Sequence, residues 1–536
     1  MQRYIVQNIR LPFEAPKDVV FAQAKRRLLK FFSEKDIIKT EIAKRSVDAR
    51  RKNDIKFVWS VYAEVSSKRA VDAVRLAADG VVLAKDPSLD VRTGSEILTD
   101  RPLVVGFGPC GMFASLILAR NGYRPTVIER GGDIYERSQA VDTFMKTGKL
   151  DAESNIQFGA GGAGTFSDGK LVTRINDEKC AVVIEEMHRH GASDDILFLS
   201  KPHVGTDSLK KIVSSIHDEI TSLGGEIHYN TKFEGFICRD GKVAGVRTSR
   251  GDIACGAVIL AIGHSARDTF EVFEKSGLSL APKAFSVGVR IEHLQEDIDA
   301  ALYGDNAGDE RLPKGEYALS HRCDGGRGVY TFCMCPGGEV VAAASEEGGV
   351  VTNGMSYRAR DGKNANSAIA VSVLTEDFGN STRGAVDLQR KIERAAFERG
   401  GRTYAAPAET VGDFLSGDRG TPFTDVMPTY MNGNVVRTDF DGVLPSFVIS
   451  SLKEGILSFD KMISGFAKSS AVLTAPETRT SSPIRILRDE TFVAAGFDNV
   501  YPCGEGAGYA GGITSAGVDG INCALKIMGR YAPPKI

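Results

Sequence analysis

Residues 103–111 read Leu-Val-Val-Gly-Phe-Gly-Pro-Cys-Gly, an apolar run that ends in glycines at 106, 108 and 111. The run predicts a buried strand. Met112, Phe113, Leu116, Ile117 and Leu118 then recur at helical spacing, so a helix is expected from about Met112. Gly106 permits the tight turn between them, Gly108 lets backbone approach a pyrophosphate, and Gly111 lets helix pack on strand; Pro109 and Cys110 complete the motif. Past Asn121 and Gly122, residues 125–128 form a second strand ending at Glu129, with Arg130 beside it. An acid there, 18 residues beyond Gly111, reaches a ribose hydroxyl. The opening turn of the helix offers free N–H groups and the positive end of its dipole to phosphates. Strand, turn, helix and terminal acid together indicate a dinucleotide site.

The chain has 536 residues, enough for two to four domains, and its 42% hydrophobic and 25% charged content is ordinary for a globular protein. The net charge of −2 is unevenly spread: residues 1–95 carry 20 Lys and Arg against 12 Asp and Glu, a surplus of eight, leaving −10 for the remainder. No apolar run reaches the ~20 residues needed to span a bilayer, and residues 1–8 read as a strand and not as a leader. Nine scattered cysteines argue for reduced thiols and a cytoplasmic location. Cys333 and Cys335 are the one close pair; their spacing on a strand is poor for a zinc knuckle, so no metal is expected. It is also closer than disulfide reductases usually space an internal dithiol, so buried thiols are expected over a redox pair.

Four segments follow. Residues 1–96 are expected to form a basic α+β domain. Its strands lie near 4–6, 37–47 and 55–65, with helices over 18–32 and near 70–78 and a basic turn at 50–54. Residues 97–279 hold the first part of the nucleotide domain. There a helix is expected over 207–223, then a meander of 226–229, 233–237 and 243–247, and one buried strand over 252–262 ending at Gly263. Residues 280–475 are richer in strands and glycine turns and read as an inserted substrate domain. Residues 476–536 return to the first sheet.

That return narrows the choice of dinucleotide. Gly504-Glu505-Gly506-Ala507-Gly508 leads into Gly511-Gly512-Ile513, an acid at a strand end followed by a glycine-rich helix start. An acid there suits a ribityl hydroxyl or pyrophosphate, and the N–H groups of a helix beginning at Ile513 face an anion, such as the N1–C2=O edge of a reduced flavin. These stretches, with residues 161–171, 201–207, 262–268, 363–367 and 479–486, resemble the FAD-dependent dehydrogenases allied to aminoacetone-oxidase-like flavoproteins. The resemblance spans essentially the whole chain. It implies an α/β fold: a Rossmann-type FAD-binding domain of three-layer β/β/α form, discontinuous in sequence, with an inserted β-rich substrate domain. It also implies that Gly161, Gly162, Ser167 and Asp168 lie near the flavin. Glu505 stands where the glutathione-reductase pattern commonly carries Asp.

Lys170 in the glycine-rich loop is a candidate for stabilising reduced flavin, and His203 and His264 are candidate general acids or bases, although each suits a loop-organising role as well. Arg267, Arg479 and Arg485 suit either carboxylate clamping or ordinary ion pairs. The expected activity is an FAD-dependent oxidoreductase moving a hydride between a small organic substrate and flavin N5, with an unknown electron acceptor. NAD(P)H is a further candidate donor, even though residues 260–300, where two-dinucleotide reductases place their NAD(P)H domain, hold no second Gly-x-Gly-x-x-Gly. The basic N-terminal segment keeps an RNA-associated or RNA-modifying flavoenzyme as an alternative, and a non-catalytic flavin-binding protein is a third reading.

Overall fold

The computed structural model describes residues 1–67, 71–85 and 88–535. The strand Pro102–Val105 is buried along its whole length, as a central strand covered on both faces must be. It lies in a five-stranded parallel sheet whose order is Val500–Pro502, Ala257–Leu260, Pro102–Val105, Thr126–Ile128, Glu226–His228. Leu260 and Ile128 flank Val105 in register. The chain leaves Pro102–Val105 for a neighbour on one side and later fills the other side. The carboxyl ends of the strands therefore meet at a topological switch point, where α/β sheets bind ligands. The turns after residues 105, 128, 260 and 502 all open at that edge.

Two helices stack beneath it, Pro109–Arg120 and Ile513–Arg530. They touch through glycine: a Cβ on Gly520 would stand 2.1 Å from the Cys110 carbonyl oxygen, and one on Gly517 would stand 2.9 Å from the Phe113 ring.

Two sequence expectations differ here. Glu226–His228 is the edge strand of the parallel sheet and not part of the meander, which consists of Phe233–Arg239, Lys242–Thr248 and Gly251–Ala254. The single strand expected over 252–262 is two, Gly251–Ala254 in the meander and Ala257–Leu260 in the parallel sheet. Gly256 lies between them, where a Cβ would come within 2.8 Å of the Asp100 carbonyl oxygen, so the chain changes sheets through a close backbone contact.

A seven-stranded sheet stands over the switch point, in the order Ser320–Arg322, Gly328–Cys335, Asn364–Val373, Phe285–Leu294, Val472–Glu477, Ala406–Thr410, Val435–Arg437. All its pairings are antiparallel except the last. All ten residues of Phe285–Leu294 are buried. This region also holds helices the strand-rich reading of 280–475 did not include, notably Thr382–Arg399 and Ser446–Met462, whose Ile392, Leu452 and Phe459 fill the core beside Val287 and Ile369.

At the amino end, Ile37–Asp48, Lys56–Val65, Gln2–Pro12 and Val81–Leu83 form a four-stranded antiparallel sheet. Phe57, Trp59, Val61, Ala63 and Val65 alternate inward, and the helix Lys17–Leu28 covers them with Val20, Ala24 and Leu28. The short helix expected near 70–78 runs Ala73–Ala78, capped by the Asp72 carboxylate at the Val74 amide; Ala70 lies outside the described residues. Among the described residues, no helix is long and apolar enough to cross a membrane.

Candidate functional site

The turn after Pro102–Val105 is built as its glycines demand. Gly106 has φ +102°, and a Cβ on it would meet the Ala261 carbonyl oxygen at 2.4 Å. A Cβ on Gly111 would lie 1.9 Å from the Gly106 carbonyl oxygen, so helix and strand touch backbone to backbone. Gly108 is different. Its nearest neighbour for a Cβ is Gly162 Cα at 3.6 Å, and it faces a cleft of about 1680 Å³ including its open mouth.

That cleft runs from the glycine turn to the underside of the seven-stranded sheet. Gly106, Gly108, Pro109, Glu129 and Arg130 line one end. Gly162, Ser167 and Lys170 line its flank. Gly263, His264, Glu505, Gly511, Gly512 and Ile513 line the part nearest the upper sheet. Five expected site residues stand behind the wall instead: Gly111, Gly161, Asp168, His203 and Gly504. The upper sheet contributes Phe332, Cys333 and Glu477, the chain just past it Arg479 and Thr480, and the two-stranded ribbon of Glu339–Ala342 and Thr352–Met355 contributes Asn353; of these the sequence had singled out only Cys333 and Arg479.

Both helices that begin at the cleft lack a side-chain cap: Gly108 precedes Pro109–Arg120, and Gly512 precedes Ile513–Arg530. Cβ atoms built on Gly263, Gly511 and Gly512 would meet nothing within 4 Å. Bare backbone, two positive helix ends and open space against them fit a dinucleotide with an anionic centre and a second anionic group.

Glu129, expected to reach a ribose, is engaged by the protein's own backbone. One carboxylate oxygen accepts the Phe107 amide at 2.8 Å and the other accepts the amides of Gly131 at 3.0 Å and Gly159 at 2.9 Å, so this buried acid ties three turns together. Arg130 stacks on Phe158, 4.1 Å from the ring centre, and pairs with Asp268 and Glu153. The glycine-rich loop is held from behind by Arg137. Its fully buried guanidinium donates to the carbonyls of Asn155 at 2.9 Å, Ile156 at 2.8 Å, Gly159 at 3.3 Å, Ala160 at 2.6 Å and Gly162 at 2.9 Å.

Asp168 is fully buried and bidentate to Arg360 at 2.9 and 2.5 Å, with Lys170 Nζ also 2.9 Å away. Burial works against its charge, but Lys170 and Arg360 overcome that and hold it at about 2. Lys170 also reaches Glu316 at 2.8 Å; burial disfavours its charge, yet Asp168 and Glu316 outweigh it and raise its pKa. Asp168 thus organises the loop, while Lys170 stays cationic at the cleft wall.

His264 is pushed down to about 3 by burial and by Arg479, Arg267 and Lys283, and it lies 3.9 Å from Glu505. It is neutral near pH 7 and offers a hydrogen bond, not an imidazolium proton. His203 donates from Nε2 to the Arg358 carbonyl at 3.2 Å; burial and Arg360 lower it to about 4, and it organises the loop from outside the cleft. Glu505 is pushed up to about 7 by burial, with Lys283 opposing, so it exchanges a proton in the physiological range. The arginines considered as clamps are paired internally. Arg267 and Arg479 both bind Glu393, with Nη2–Oε distances of 2.5 and 3.2 Å, and Arg485 donates to the Gly508 carbonyl at 3.2 Å.

Residues 284–480 match the family described as "FAD-dependent protein, C-terminal domain-like", and residues 1–64 match a domain family of unknown function. Fold and cleft together suit a dinucleotide, and the domain matched over residues 284–480 is one described for FAD-dependent proteins. An uncharacterized protein of Clostridium beijerinckii is 45% identical over 533 residues, 99% of each chain, and this chain belongs to the same family. Protein FixC of Escherichia coli is 28% identical over 199 residues, 36% of this chain and 42% of FixC. The solved L-amino acid deaminase of Proteus vulgaris shares 11% identity over 84% of this chain and 97% of its own, with a TM-score of 0.36.

Proposed function

We propose that the protein oxidises or reduces a small organic substrate by hydride exchange with a bound FAD. The observation that carries this reading is the meeting of two uncapped helix N-termini on one glycine-walled cleft, near enough that a Cβ on Gly164 would lie 3.0 Å from Ile513 and 3.6 Å from Pro109. FAD would supply a two-electron acceptor at its ring. The chain supplies the rest. Gly106, Gly108 and Pro109 would admit the pyrophosphate to the first helix end, and Glu129 would accept from a ribose hydroxyl while bracing the turns. Gly511, Gly512 and Ile513 would set the second helix end against the ring's anionic edge, worth ~0.3–2 kcal/mol by dipole attraction. Lys170 keeps a positive charge beside it. Glu505 holds or releases a proton on its carboxyl near neutral pH, and buried Arg479 and Glu477 close the far wall.

The test is the visible spectrum of the purified protein, followed by anaerobic screening of small amines, hydroxy acids and NAD(P)H for loss of flavin colour. A bound flavin bleached by an organic donor is the expected result. A protein that neither carries FAD nor takes it up overturns the reading.

A further inference from the structure

The strand Gly328–Cys335 is interrupted where it meets the cleft. Phe332 lies opposite Ala368 and Cys335 opposite Asn366, so one extra residue is inserted between them. Such a bulge re-aims side chains and is common beside active sites. Here it places Cys333 in the left-handed region, φ +45°, an unusual conformation for a residue other than glycine and one that persists only when its surroundings enforce it. The enforcing group is Arg290. Its fully buried guanidinium donates to the Cys333 carbonyl at 2.8 Å and is itself held by Glu477 at 2.9 Å.

The strained residue faces the cleft, while Cys335 is fully buried behind it with its thiol on the Cys333 carbonyl oxygen at 3.3 Å. The result is an asymmetric pair, one sulfur at the cleft wall and one shielded partner.

We propose that Cys333 and Cys335 are a redox-active dithiol that exchanges two electrons with the FAD of the same cleft, Cys333 acting as the reactive thiolate and Cys335 as the resolving thiol. The inference rests on the FAD reading of the cleft. In the oxidising direction the Cys333 thiolate and the Cys335 thiol lose two electrons and one proton and form one S–S bond; oxidised FAD takes up both electrons and the proton to become FADH⁻. The reverse direction cleaves the S–S bond and returns the pair to thiolate and thiol. The surroundings favour the reactive form. The Cys335 thiol lowers the Cys333 pKa against the opposing effect of burial, with Arg290 and Lys170 adding to the effect, to about 6. A thiolate rather than a thiol is the competent species.

The experiment uses the FAD-loaded full chain. Air-oxidised wild type is titrated anaerobically with dithionite; about four electrons per FAD are expected, two for the ring and two for the disulfide, whereas C335S and C333S each take about two. A second readout needs no flavin. After diamide treatment and alkylation under denaturing conditions, peptide mapping of wild type is expected to find the segment with Cys333 and Cys335 two hydrogens lighter and unalkylated. Mapping also separates this pair from Cys110 and Cys503, whose sulfurs lie 3.0 Å apart. Loaded wild type that takes only two electrons, with Cys333 and Cys335 both alkylated, overturns the dithiol while leaving the FAD reading intact. A chain that cannot be loaded with FAD overturns that reading, and with it the electron exchange.

Discussion

Asp168→Asn tests whether the glycine-rich loop depends on a buried ion network. The side chain has no exposed surface and its two oxygens are fully engaged, by Arg360 on both and Lys170 on one. Asparagine keeps the shape but turns an amide N–H₂ toward two cations that are themselves largely buried. Two routes give the size of the loss. The carboxyl falls from 3.8 to about 2 on folding, and at ~1.36 kcal/mol per unit this amounts to about 2.5 kcal/mol. Removing one partner of a buried pair costs roughly 3–5 kcal/mol, because the other charge is left uncompensated. A loss of about 3 kcal/mol at pH 7 is expected. The sign with pH follows from the depressed folded value: the stability is complete above 3.8 and disappears as pH falls toward about 2. Urea unfolding of wild type and D168N, followed by circular dichroism from pH 7 down to the lowest pH at which both remain native, measures the gap. A gap below about 1 kcal/mol at pH 7, or one that widens as pH falls below 3.8, would refute the argument.

Gly108→Val should abolish FAD retention with little effect on unfolding, since its Cβ has 3.6 Å of clearance from protein but projects into the cleft; full flavin occupancy in the purified variant would contradict this. Gly111→Ala should lower both FAD content and thermal stability, because its Cβ would stand 1.9 Å from the Gly106 carbonyl oxygen. Glu505→Gln should remove an inflection near pH 7 in the rate of anaerobic flavin reduction. Because the folded carboxyl is raised from 4.5 to about 7, its charging opposes folding above 4.5, so E505Q should melt higher than wild type at pH 8 and equally at pH 4. Arg137→Met should lower stability by several kcal/mol, at ~1–3 kcal/mol for each buried carbonyl left without its donor, and release FAD; calorimetry and flavin content check both.

The nucleotide turn was legible because its pattern is local: Gly106 takes a positive φ of +102°, Gly111 answers to the Gly106 carbonyl five residues earlier, and the apolar strand runs straight into them. This holds even though the Ala261 carbonyl that Gly106 approaches is distant in sequence. Partnership across the chain was not. A three-residue strand such as Glu226–His228 carries no mark of which sheet it joins, and its assignment follows from pairing with Thr126–Ile128 about 100 residues earlier. Gly256, which divides one expected strand into two, resembles any glycine until Asp100 is brought beside it. Asp168 meets Arg360 across 192 residues, so its role in the loop's framework could not be separated from a role at the ring. Cys333 was visible as half of a close pair, but its left-handed conformation depends on Arg290, on the neighbouring strand but one.

Arg137 has a consequence for how the cleft meets its ligand. With five carbonyls of residues 155–162 drawn onto one guanidinium, the opposite side of that loop is fastened amide by amide: Gly161 to the Phe107 carbonyl, Ala160 to the Gly132 carbonyl and Gly159 to Glu129. The loop is a casting already set before any nucleotide arrives. The ordering entropy of this wall is met during folding and not at binding, which strengthens affinity without a single added contact. Stripped of FAD, such a wall should keep its shape and refill readily.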